Sequence, residues 1–267
     1  MNEAVAVVLA AGLGTRMKSD LPKVLVPVLG RPMIEFVLDA LAAAKILRII
    51  VVVGYRADDV KQLLAARRGI EFALQAERLG TGHAVKMARP LLAGHRGPVI
   101  VVAGDSPMIQ ASSVHALVEH FQQHRPACLL GTLHKPNPQG LGRIVRDSGG
   151  AFAAIVEEKD ATDEQRRITE VNMSTYIFSG PELLHALDRL KNDNRQKEYY
   201  LTDCPGILKS EGKLVEALPV LKPCEALSIN TVDELSQVEA EMRRLGYTTA
   251  NSSQAVRTKG PKSQRTQ

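Results

Sequence analysis

One stretch early in the chain has the residue types and spacing to hold phosphate. Gly12-Leu13-Gly14-Thr15-Arg16 follows directly on the apolar run Val5 to Ala10. Two glycines within three residues let backbone N–H groups approach a ligand with no Cβ in the way and with positive φ available. Arg16 and Lys23 supply two cations. Between them, Asp20-Leu21-Pro22 keeps the chain extended, because a residue before proline is pushed out of the α region. The loop lacks the Gly-Lys-Ser/Thr close of a Walker loop, and Met17 stands where a dinucleotide fingerprint needs its third glycine. Alone, the Gly-x-Gly is weak evidence for anion binding over a plain turn.

Three later positions carry further chemistry. Gln75 has an amide donor and a carbonyl acceptor, the pair needed to read the N3–H and O4 edge of uracil, although an amide at a strand end is more often structural. Gly80 and Thr81 follow it at a helix start, with free N–H groups and a small hydroxyl. Asp105, in Gly104-Asp105-Ser106-Pro107, follows a buried strand. It suits a hard divalent cation such as Mg²⁺ on phosphate oxygens and equally suits a helix cap. Asn230 stands where an N-cap would precede the helix from Val232.

These positions need elements to hold them. Continuous apolar runs at Val5 to Ala10, Ile49 to Val53 and Pro98 to Ala103 predict buried parallel strands, and Ile70 to Leu74 predicts a further short one. Helical spacing fills the gaps: Met33 through Lys45 after Pro32, Asp58 to Arg68, and Ala111 to His124. Alternating strand and helix with short connections predicts a doubly wound parallel sheet with right-handed crossovers, with ligands at the carboxyl ends of the strands. After about Leu133 the pattern changes. Arg143 to Val145 and Phe152 to Glu157 flank Ser148-Gly149-Gly150 and predict a hairpin, hence antiparallel additions. Pro181 to Leu190 predicts an amphipathic helix, Leu214 to Val220 a strand, and Val232 to Leu245 the last helix.

The 267 residues suit one large domain, and no apolar run reaches the roughly 20 residues of a membrane span. No basic-then-apolar leader opens the chain, so a cytoplasmic location is expected. Arg257, Lys259, Lys262 and Arg265 account for four of the net +5 charges, leaving the body nearly neutral. With no Trp and 4% aromatics, a nucleic-acid partner is not expected. The segment from 251 to 267 is expected to be a disordered basic tail. Cys128, Cys204 and Cys224 have no Cys-x-x-Cys spacing and are expected to be free thiols. The seven histidines are read as scattered, and none is assigned to zinc.

The longer strings are more specific than any single residue. Leu9-Ala10-Ala11-Gly12-x-Gly14-Thr15-Arg16-Met17 with Pro22-Lys23-Val24-Leu25, and Gln75-x-Glu77-x-x-Gly80-Thr81-Gly82-His83-Ala84, resemble the signatures of sugar-1-phosphate nucleotidyltransferases. The nearest likeness is to the uridyltransferase half of the bacterial enzyme that makes UDP-N-acetylglucosamine. Gly140-x-Gly142-Arg143, Glu157-Glu158-Lys159, Glu170-Val171-Asn172 and Glu198-Tyr199-Tyr200-Leu201-Thr202-Asp203 continue it.

The resemblance implies the nucleotide-diphospho-sugar transferase fold, a mainly parallel mixed sheet with a nucleotide half to about residue 133 and a sugar half from 134 to 250. It implies nucleotide contacts from Leu9, Ala10, Ala11, Gly12, Gly14, Thr15, Gln75, Gly80 and Thr81. Arg16 and Lys23 would neutralise phosphate, Mg²⁺ would sit on Asp105 and Asn230, and Gly140, Glu157, Asn172 and Thr202 would hold the sugar. The implied reaction joins UTP and N-acetylglucosamine 1-phosphate. A sister transferase with another sugar or base, or a non-catalytic nucleotide-sugar sensor, is the alternative. Two departures stand out: Ala103 replaces a common tyrosine, and Met173-Ser174 replaces Thr-Gly after Asn172. No hexapeptide period follows Leu245, so an enzyme without the acetyltransferase activity is expected, with oligomeric state open.

Overall fold

Alternate residues of each parallel strand feed opposite cores, which is how one sheet comes to be covered on both faces. In the computed structural model, which describes residues 3–13, 20–229 and 231–249, Val5 and Val7 of β1 (Val5–Ala10) face one core and Ala6, Val8 and Ala10 the other. Two antiparallel two-residue strands, β2 (Pro27–Val28) and β3 (Arg31–Pro32), lead into α1 (Met33–Ala43). Then come β4 (Arg48–Val53), α2 (Ala57–Leu64), β5 (Ile70–Leu74), α3 (Thr81–Met87), α4 (Arg89–Leu92), β6 (Pro98–Ala103) and α5 (Ala111–His124). Strands β5, β4, β1 and β6 are adjacent and parallel. Each buried Val or Ile side chain here adds about 1.5–3 kcal/mol by leaving water.

The second half closes the sheet differently. β7 (Cys128–His134), a strand that its turn-rich surroundings hide in the sequence, is followed by the antiparallel hairpin β8 (Arg143–Arg146) and β9 (Phe152–Val156). After α6 (Asp163–Arg166), the ten-residue β10 (Glu170–Ser179) inserts between β6 and β7, antiparallel to both. Then follow α7 (Gly180–Arg189), α8 (Asp203–Ser210), β11 (Val215–Leu218) parallel to β7, and α9 (Val232–Arg244). The mixed, mainly parallel sheet is the expected one.

Helix ends differ from expectation. α2 stops at Leu64 and α1 at Ala43, earlier than their apolar spacing suggests. α9 is capped by Thr231, whose hydroxyl accepts from the Glu234 N–H while Glu234 accepts from the Thr231 N–H. The cap reading of Asn230 therefore passes to Thr231; Asn230 itself lies outside the described residues. At α5 the N-cap is Gln110, so Asp105 is not a cap. The buried Glu225 instead accepts there, from the Gln110 N–H at 3.0 Å and the Ser113 hydroxyl at 2.5 Å. Cys128 and Cys204 are buried free thiols, and burial pushes both up, Cys204 to about 12. The reading of the histidines as scattered is corrected by α5, where His120 and His124 stand four residues apart. Among the described residues no helix is long and apolar enough to cross a membrane.

Candidate active site

The carboxyl ends of β1, β5 and β6 open into one cleft of about 400 Å³. Leu9, Ala11 and Gly12 come from the end of β1, Gln75 from the end of β5, and Ala103 and Asp105 from the end of β6. The ends of β1 and β6 are tied by the Gly104 N–H donating to the Leu9 carbonyl at 2.8 Å. A Cβ on residue 104 would stand 2.9 Å from that oxygen, so glycine is required for the approach. Ala10, expected among the nucleotide contacts, packs in the core with Val8 and Val53. Gly14, Thr15 and Arg16 lie outside the described residues.

Lys23 and Asp105 meet on the floor of the cleft, Nζ to Oδ2 at 2.6 Å, both partly exposed. Lys23 is placed by a short 3₁₀ turn, Lys23–Leu25, whose Val24 is buried between β1 and the Gly104 turn. A cation and a carboxylate in one half-open site form a charge-neutral pair that phosphate and a divalent cation can each enter.

Gln75 is buried, and its amide nitrogen is fully used: Nε2 donates to the Gly80 carbonyl at 3.1 Å and lies 3.1 Å from His83 Nδ1. The carbonyl can only accept, which fixes the amide's orientation and leaves His83 Nδ1 as the acceptor. The expectation that Gln75 reads both edges of uracil is thereby corrected, since only Oε1 remains to accept an N3–H. Gly80 has φ +98°, and a Cβ there would lie 2.5 Å from the Tyr199 carbonyl. The 79–82 turn is clasped to the 199–201 loop by Tyr199 N–H to the Leu79 carbonyl, Gly82 N–H to the Tyr199 carbonyl, and Leu201 N–H to the Thr81 hydroxyl. Thr202 stands beyond this clasp, half-buried at the start of α8, outside the walls of the cleft.

The expected sugar contacts form a second group. A Cβ on Gly142 would meet Ile155, Glu157 and Asn172 within 3.7 Å, so Glu157 and Asn172 both lie beside the Gly142 backbone. Burial, opposed by Lys159 and aided by Asp160 and Asp203, pushes the Glu157 carboxyl up. Asn172 donates to the Tyr176 hydroxyl at 2.8 Å and accepts from the Ser174 N–H at 3.2 Å. Gly140, at φ +81°, donates its N–H to Glu158, whose carboxylate also holds the buried Arg143 guanidinium at 2.5 Å. That Arg143 bond, with the Gly140 N–H adding to it against a smaller desolvation penalty, keeps the Glu158 carboxyl below its usual range. Between Asn172 and Thr175 the β10–β7 register shifts, and this bulge sets Ser174 at φ +53° in the wall of the cleft. Arg78 and Glu198 also line the cleft. Sequence reading gave neither a role, though both fall inside the motif strings that located Gln75 and Thr202.

A family model described as a MobA-like NTP transferase domain matches residues 6–201. The chain belongs to that family. Within the NTP transferases, it is 43% identical over 243 residues to a protein of Bacillus subtilis described as bifunctional protein GlmU, covering 91% of this chain and 53% of the relative. It is 46% identical over 240 residues to the GlmU of Lactococcus lactis subsp. lactis, covering 90% and 52%. The chain thus spans about half the length of the curated relatives it matches. A solved structure from Bacillus anthracis, described as a glucose-1-phosphate thymidylyltransferase, superposes with a TM-score of 0.75 at 17% identity, covering 90% of this chain and 95% of the other. That likeness shows the nucleotidyltransferase fold.

Proposed function

We propose that this chain transfers the uridylyl group of UTP to N-acetylglucosamine 1-phosphate, releasing pyrophosphate, as a cytoplasmic enzyme. The observation that carries the reading is the Lys23–Asp105 pair, 2.6 Å apart in a cleft walled by Gly12, Gln75, Gly80 and Thr81. The identity to GlmU relatives over nine-tenths of this chain supports the substrate pair.

A sugar phosphate oxygen attacks the α-phosphorus of UTP, the new P–O bond forming as the bond to pyrophosphate breaks. The attacking oxygen is already anionic, so no general base is required and the work is positioning and charge neutralisation. Lys23 neutralises the α-phosphate, Arg16 and the 12–15 backbone the outgoing phosphates, and Gln75 Oε1 accepts from the base. Glu157, Asn172, Thr202 and the Gly140 backbone hold the sugar. Asp105 is a hard, half-open oxygen donor that suits Mg²⁺, with Asn230 as its companion. When bound, the ion supplies neutralisation of charge building on the phosphates.

The Met173-Ser174 bulge in the cleft wall favours one second reading, a transferase for a different sugar 1-phosphate. Pyrophosphate release with Mg²⁺, measured for UTP and dTTP against N-acetylglucosamine, glucosamine and glucose 1-phosphates, tests both. Release confined to UTP and the N-acetylated sugar is expected. Preference for glucose 1-phosphate moves the function to the sister enzyme, and silence throughout removes the enzymatic reading.

A further inference from the structure

The last turn of α5 carries a cluster that the nucleotide chemistry does not use. His120 and His124 share one helix face, their rings stacked with centroids 4.0 Å apart and planes 20° from parallel. Glu216 reaches them from β11, its Oε2 3.1 Å from His120 Nε2. One ligand atom from each of the three lies within 4.8 Å of the others. We propose that His120, His124 and Glu216 bind a divalent transition-metal ion of the zinc, nickel and copper class, pinning β11 to α5.

Two imidazoles and one carboxylate suit those ions far better than Mg²⁺, which prefers an all-oxygen shell. His124 Nδ1 lies 3.1 Å from the His120 carbonyl. A carbonyl can only accept, so Nδ1 carries the hydrogen and Nε2 keeps its lone pair, the usual outer contact of a metal-bound histidine. The 3.1 Å spacing of His120 Nε2 and Glu216 Oε2 already approximates the edge of a tetrahedron around zinc, about 3.3 Å for metal–ligand bonds near 2 Å. His124 is exposed, and its ligand atom lies within 4.8 Å of the other two.

The cluster lies far from Asp105. Glu216 is in register with Leu129, and through Ile177 with Ile100. It therefore sits near the start of the parallel strands, three strands across and five residues back from Asp105, on the order of 20 Å away. β11 is a four-residue edge strand paired on one side, the element that gains most from a second attachment.

The test is calorimetric titration of Zn²⁺ into the full chain, tag-free and chelator-stripped, with Mg²⁺ in excess, alongside thermal unfolding. One saturable equivalent and a Tm that rises with Zn²⁺ are expected. Affinity should fall at least about tenfold in His120→Ala and in His124→Ala, and less in Glu216→Gln. His124→Ala should keep the wild-type Tm in chelator and full transferase activity, which shows that lost binding is not lost folding. No saturable binding overturns the proposal. So does wild-type affinity in His124→Ala, which leaves a plain His120–Glu216 ion pair, or in the double His120→Ala/His124→Ala variant, which puts the metal elsewhere.

Discussion

The cleft at the strand ends and the side-chain group around Gly142 are built by different physics. In the cleft, Leu9 is tied to Gly104, and the 79–82 turn to the 199–201 loop, largely by backbone hydrogen bonds at approaches that Gly104 and Gly80 allow. Around Gly142 and β10, side chains hold side chains: Arg143 to Glu158, Asn172 to Tyr176, and Glu170 to Thr132 and Arg146. Backbone architecture tolerates substitution of neighbours but no added Cβ. The side-chain network tolerates small backbone changes but senses charge and pH.

Breaking the Lys23–Asp105 pair in the cleft should have the largest effect. Asp105→Ala is expected to lower kcat for pyrophosphate release by roughly 10³-fold or more, and Lys23→Ala by roughly 10²–10³-fold, with little change in Tm. Equal KM and lowered kcat would place both in the transition state; a rise in KM alone would make them binding groups.

Gly80→Ala tests the backbone side. Its Cβ would stand 2.5 Å from the Tyr199 carbonyl in a conformation that L residues avoid. The clasp must then open, and KM for the nucleotide is expected to rise about tenfold or more while KM for the sugar phosphate stays near wild type. Equal changes in both constants would mean that the cleft and the Gly142 group are not independent.

Glu157→Gln tests the charged side. A carboxyl raised in the folded state contributes stability below its unfolded pKa and loses it as pH rises through the folded value. The Gln variant should therefore have the higher Tm at neutral pH and no advantage near pH 4. Its KM for the sugar phosphate should also lose the acid limb that wild type shows as Glu157 protonates above the ordinary carboxylate range.

Ser174→Gly is the smallest expected effect. Relieving a serine at φ +53° should stabilise the chain by about 1 kcal/mol, a Tm gain of roughly 2–4 °C, and slightly alter selectivity among sugar phosphates. An unchanged Tm would show that its contacts in the wall already offset the strain.

The same division explains what the sequence makes legible. β1, β4 and β6 announce themselves as continuous apolar runs because both faces are covered, the edge strand β5 reads less plainly because it carries Glu71 and exposes Leu74, and Gly80 marks a position that only glycine fills comfortably. Gln75 and Asp105 were locatable because they end such strands. The Arg143–Glu158 lock, Glu225 at the start of α5 and the Asn172–Tyr176 bond join residues whose partners are set by three-dimensional packing, and no local pattern encodes them. β7 was missed for a related reason. Its neighbours β10 and β11 come from more than 35 residues later, so nothing near it in sequence marks its role. The His120–His124 spacing was legible, yet its third member, Glu216, belongs to a distant strand.

The insertion of β10 between β6 and β7 has a consequence for how the protein is made. β6 is synthesised about 70 residues before the Tyr176–Ser179 segment that pairs with it. At roughly 5–20 residues per second, the ribosome leaves the apolar edge Pro98–Ala103 without its partner for on the order of 4–15 s. During that interval the nascent chain presents an open, flat, aliphatic strand of the kind that recruits other chains. Yield in the cell is therefore expected to depend on translation speed and chaperone supply across residues 104–175, a stretch that includes the β8–β9 hairpin.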